Sequence, residues 1–104
     1  MEKIEAKEAD QISEALVIWV GPVPNLGYDR EAALVGRFGA QVAAKLVPIL
    51  SALDDDFWST NAGDVANNLR EMHQLAFDDF KRKHPEISDH AAHALAAKYT
   101  YANR

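Results

Sequence analysis

The chain contains no cysteine, which excludes disulfides and thiolate metal sites and fits a reducing compartment. It also lacks a long apolar run. The longest, Ala15 to Val20, falls far short of the roughly 20 residues a membrane-spanning helix needs, so no membrane partner is expected. The opening Met-Glu-Lys-Ile-Glu is acidic where a secretory signal is basic and then apolar, so the expected location is cytoplasmic. Positive charge is scarce: 11 Lys and Arg against 16 Asp and Glu leave a net charge of −5. Phosphate backbones attract the opposite balance, so direct nucleic-acid binding is not expected either. Catalytic signatures are missing as well. There is no serine in a nucleophile elbow, no His-Glu-x-x-His, and no phosphate loop, because Gly-Pro-Val-Pro-Asn-Leu-Gly has the wrong spacing and no Gly-Lys-Ser/Thr after it. No enzyme and no cofactor are expected.

No segment alternates like a strand, and four segments repeat apolar residues at helical spacing: Lys3 to Val20, Asp29 to Leu53, Asn61 to His84 and Ser88 to Asn103. A chain of 104 residues is one domain, so residues 1–104 read as a single all-α domain, a compact bundle of four main helices. In the first helix Ile4, Ile12, Ala15, Leu16 and Trp19 share a face, and Gly21-Pro22 ends it. The second, capped by Asp29, has the widest apolar arc: Leu34, Val35, Phe38, Val42, Leu46, Ile49 and Leu50. Gly36, Gly39, Ala40 and Ala43 line its flank, which points to close approach of another helix and places the second helix at the centre. Pro48 cannot donate to the carbonyl of Ala44, so a kink is expected at Lys45 to Val47. Asn61 is the expected cap of the third helix, whose stripe is Val65, Leu69, Met72, Ala76 and Phe80. The fourth helix starts at Ser88 or Asp89 and buries Ala91, Ala92, Leu95, Tyr99 and Ala102. Its far side carries no charge between His90 and Lys98, as if something covers it.

The four histidines invite a metal reading. His90 and His93 share one side of the last helix with Asp89, but their face is polar and further ligands are needed, so they read as exposed and no metal is expected. His73 falls inside the apolar arc of the third helix and reads as a core-edge histidine without a nucleophile partner. Asp78 and Asp79 read as solvated charge.

The best candidate for function is the segment Asp54, Asp55, Asp56, Phe57 and Trp58. Three negative charges stand beside two large aromatics, and charge steers encounter while aromatics anchor an interface. Inward-turned aromatics over solvated aspartates are the structural counterpart of that reading. The expected function is that of a small acidic binding protein. It would neutralise or regulate a basic protein partner, such as a toxin or nuclease, in the manner of an immunity protein, antitoxin or inhibitor. The alternatives are a homo-oligomeric adaptor, a homodimer in the simplest case, joined through the small-residue strip and the uncharged helix, and a small metal- or carboxylate-dependent enzyme.

Overall fold

The computed structural model describes residues 6–22 and 27–103, with side chains from residue 8 onward, and among the described residues it is helical without strands. Its elements are α1 (Ala6–Val20), α2 (Arg30–Phe38), α3 (Ala40–Trp58), α4 (Ala62–Val65), α5 (Leu69–Lys83) and α6 (Asp89–Ala102). The all-α expectation stands, while the count of four long helices does not. The start of the first helix, with Ile4, lies outside the described residues, as do residues 23–26 of the connector.

α1 buries the expected face: Ile12, Ala15, Leu16 and Trp19, with Val20 at its end. Gly21 closes it at φ +67°, its N–H donating to the Val17 carbonyl at 3.0 Å. The ring of Tyr28 lies so close that a Cβ on Gly21 would stand 2.4 Å from Cε1, and the Tyr28 hydroxyl donates to the Ile18 carbonyl at 2.7 Å. Glycine is therefore required here twice, by backbone angle and by space.

Gly39 corrects the expectation for the second helix. Asp29 does cap α2, accepting from the Ala32 N–H at 3.0 Å. The helix then breaks at Gly39, whose φ of 87° and ψ of 161° fall in a region essentially closed to other residues. Its N–H closes α2 on the Val35 carbonyl and its own carbonyl opens α3 by accepting from Ala43. α3 runs on through Pro48 without a break. Pro48 and Ala44 are exposed, so water can serve the carbonyl that proline leaves without a donor. The two glycines of the small-residue strip do not admit a neighbouring helix, since nothing lies within 4 Å of a Cβ on Gly36 or Gly39, whereas Ala43 of that strip is buried in the core. This stretch is peripheral on its outer side, and the enclosed helix is α6, packed by α1, α3 and α5.

The third expected helix also divides. α4 is a single turn, and the cap of α5 is Asn68, not Asn61. The Asn68 side chain accepts from the Glu71 N–H at 2.8 Å while the Glu71 carboxylate accepts from the Asn67 N–H at 3.2 Å. Val65 and Leu69, assigned to the buried stripe, are exposed, while Met72, Ala76 and Phe80 are buried. Lys81 secures the connector to α6: its ammonium donates to the carbonyls of Pro85 and Ile87 and pairs with Asp89 at 3.2 Å. Ser88 caps α6, accepting from Ala91 at 3.1 Å. α6 buries Ala91, Ala92, Leu95, Ala96 and Tyr99, so much of its uncharged surface is covered by the chain itself. No helix among the described residues is long and apolar enough to cross a membrane.

Candidate functional site

The five singled-out residues form the C-terminal end of α3, and helical geometry sends them in different directions. Asp54 turns inward between two tryptophans. One carboxylate oxygen accepts from the Trp19 indole N–H at 3.1 Å and the other from the Trp58 indole N–H at 3.0 Å. Arg30 stands 4.0 Å from Asp54 and 3.7 Å from the centre of the Trp19 ring. Asp55 faces solvent. Asp56 contacts His84 Nε2 at 2.5 Å, a bond between the ends of α3 and α5. The three carboxylates therefore do not form one patch, and two of them do structural work.

Phe57 is 2% exposed and belongs to the core, with ring centres 5.2 Å from Phe80 and 5.9 Å from Tyr99. Of the two aromatics a partner could reach only Trp58, which is 40% exposed. Its ring rests on Tyr99 at 5.1 Å and its N–H is held by Asp54, so its position is fixed before anything binds. Tyr99 in turn accepts from the Gly63 N–H at 2.9 Å, which draws α4 under the same corner.

The histidines are arranged as the sequence does not show. His84 is buried, with Nε2 on Asp56 and Nδ1 enclosed without a hydrogen-bond partner, 3.7 Å from a Glu86 oxygen. The two carboxylates lie at opposite sides of the ring and cannot converge on one cation. Nε2 is engaged by Asp56 and Nδ1 is enclosed, so His84 ties the end of α5 to the end of α3. His73 and His93 meet across α5 and α6, Nε2 to Nδ1 at 2.9 Å, and the His93 ring lies on Phe77 at 4.1 Å. Burial, and then the neighbouring His93, hold the pKa of His73 below the ordinary 6.5. His90 points elsewhere and joins Asp10, Ser13, Glu14, Val17, Ile18 and Ser88 around an open groove of about 380 Å³ between α1 and the start of α6. Among the described residues, no three His, Asp or Glu side chains gather as metal ligands. Asp78 bonds Gln74 at 2.8 Å, and Asp79 pairs with Arg82 and Lys83.

No protein-family model, curated protein or solved structure matches the chain, so its own residues carry the functional argument.

Proposed function

We propose that this chain is an acidic binding domain that engages a basic protein partner through the end of α3, with Trp58 as anchor and Asp55 beside it. The observation that carries this reading is the state of Trp58. This large aromatic is 40% exposed and yet held at its face and its N–H. A side chain fixed in advance loses little conformational freedom on binding, which is how anchor residues gain affinity. The excess of acid over base favours a positively charged partner, of the kind an inhibitor or immunity protein covers.

The test is capture of a partner from the native cell extract, followed by kinetics with Trp58→Ala. The variant should stay folded, melting only a few degrees lower because the indole is partly outside, and should release the captured partner at least tenfold faster. Unchanged release from a folded variant rejects the site.

Self-association is the second reading, and one observation favours it. The outer side of α2 and α3 exposes Val35 at 45% and Ile49 at 40%, among the exposed small residues Gly36, Ala40 and Ala44. Mass in solution distinguishes the two: a dimer that Ile49→Glu converts to monomer supports the adaptor reading.

A further inference from the structure

We infer that His73 and His93 form an acid-releasable clasp between α5 and α6, closed while at most one ring is protonated and forced apart once both are. The geometry of the pair carries this. The ring centres stand 5.2 Å apart and the facing nitrogens 2.9 Å apart. The difference equals two imidazole radii, the most that such a nitrogen contact allows, so the nitrogens meet head-on, with the ring planes only 24° apart. Lone pairs aimed at each other do not converge on a shared cation. They make one N–H···N hydrogen bond, for which one ring must donate and the other accept.

The protonation states follow from that requirement. With both rings neutral, either can donate, depending on tautomer. With one proton added, a histidinium donates to a neutral imidazole and the bond is charge-assisted. With two, both nitrogens carry hydrogens, no acceptor remains, and like charges face each other. His93 is the exposed member of the pair. His73 is half-buried and takes the last, in keeping with its lowered pKa.

Among the described residues neither ring of the pair is ion-paired. Glu71 of α5 is bound to Asn67, and Lys98 of α6 makes no ion pair with a described residue. On α5, Asp78 holds Gln74 and Arg70 is exposed; on α6, Asp89 is taken by Lys81 and His90 lines the α1 groove. On α1, Glu14 is bound by Arg37 and Asp10 lines that same groove. On α3, Lys45 and Asp55 are exposed, Asp54 accepts from both indoles and Asp56 is with His84. Asp64 of α4 is exposed. At the α5–α6 connector His84 faces the carboxylates of Asp56 and Glu86, so no like charges are set against each other there. Loosening is thus expected at the contact of His73, His93 and Phe77.

The sign is fixed by linkage. A histidine whose folded pKa lies below its unfolded value stabilises the fold fully above about 6.5 and loses that contribution as pH falls through the folded value. The experiment is an NMR titration of the imidazoles in the full chain, with amide exchange and thermal melting from about pH 7.5 to 5. The expected result is two coupled steps, with the lower one following His73 and exchange around residues 73 and 93 rising along it. His73→Gln should abolish the lower step and flatten the fall in melting temperature, whereas His90→Gln should change neither. Should His73→Gln not fold, the wild-type titration decides alone. Independent single-step titration of both rings at ordinary values, or parallel acid losses in wild type and a folded His73→Gln, overturns the clasp.

Discussion

At the scale of single residues, the run of three aspartates separates into three jobs, and substitution should expose the division. Asp54 satisfies two indole N–H groups, one on the buried Trp19. Asp54→Ala leaves that donor unpaired and should cost about 2 kcal/mol of stability, with a change in tryptophan fluorescence. Asp54→Asn keeps one acceptor oxygen and should fall between alanine and wild type. Asp55→Asn touches nothing and should lie within about 0.5 kcal/mol of wild type. The adjacent aromatics should split as sharply in chemical denaturation. Phe57→Ala empties a core position and should cost about 3–5 kcal/mol. Trp58→Ala gives up one aromatic contact and an exposed hydrogen bond, for about 1 kcal/mol. Equal costs at 57 and 58 would contradict the inward and outward assignment.

At the scale of elements, two glycines that look alike in sequence should respond in opposite directions. Gly36 is an exposed helical residue with open space around its Cα, so Gly36→Ala should stabilise by about 1 kcal/mol. Gly39→Ala has the same open space but must hold a φ of 87°, and should destabilise by about 1–3 kcal/mol. Melting both variants checks the assignment of the break. The same residue shows why part of the fold escapes a reading of the sequence. Leu34, Phe38, Val42 and Leu46 keep helical spacing straight across Gly39, so periodicity reports one helix where the backbone makes two. A single backbone angle leaves no trace in a hydrophobic pattern. The side-chain caps at Asp29 and Ser88 were legible, and the one at Asn68 was not. Asn61 and Asn68 were equivalent as lone caps, and only Glu71, three residues after Asn68, marks the true start of α5. At the candidate site the aromatics were legible as a pair, but the direction each faces depends on Phe80 and Tyr99, brought in from other helices. The pairing of His73 with His93 crosses between helices and has no local signature.

At the scale of the whole molecule, the charge that steers a partner should be distributed, because the local run at the end of α3 is largely occupied. Arg37, Lys81, Arg82 and Lys83 are bound to acids, as Arg30 is drawn to Asp54. Glu8, Asp10, Glu31, Asp55 and Asp64 are exposed and lack an ion-pair partner among the described residues. A field summed over such scattered charges acts before contact and is screened within about 8 Å at physiological salt. Removing one member changes that sum little. Asp55→Asn should therefore lower the association rate with a captured basic partner by no more than about twofold at low salt. Neutralising Glu8, Asp10, Glu31, Asp55 and Asp64 together should lower it by about tenfold and flatten its salt dependence, with the dissociation rate nearly unchanged. Trp58→Ala should do the reverse, since an anchor acts only once the surfaces have met. Stopped-flow mixing at several salt concentrations measures both. If Asp55→Asn alone removes the salt dependence, steering is local to α3 and the distributed field is wrong. If the five-site variant associates as fast as wild type at low salt, the partner is not recognised by its positive charge.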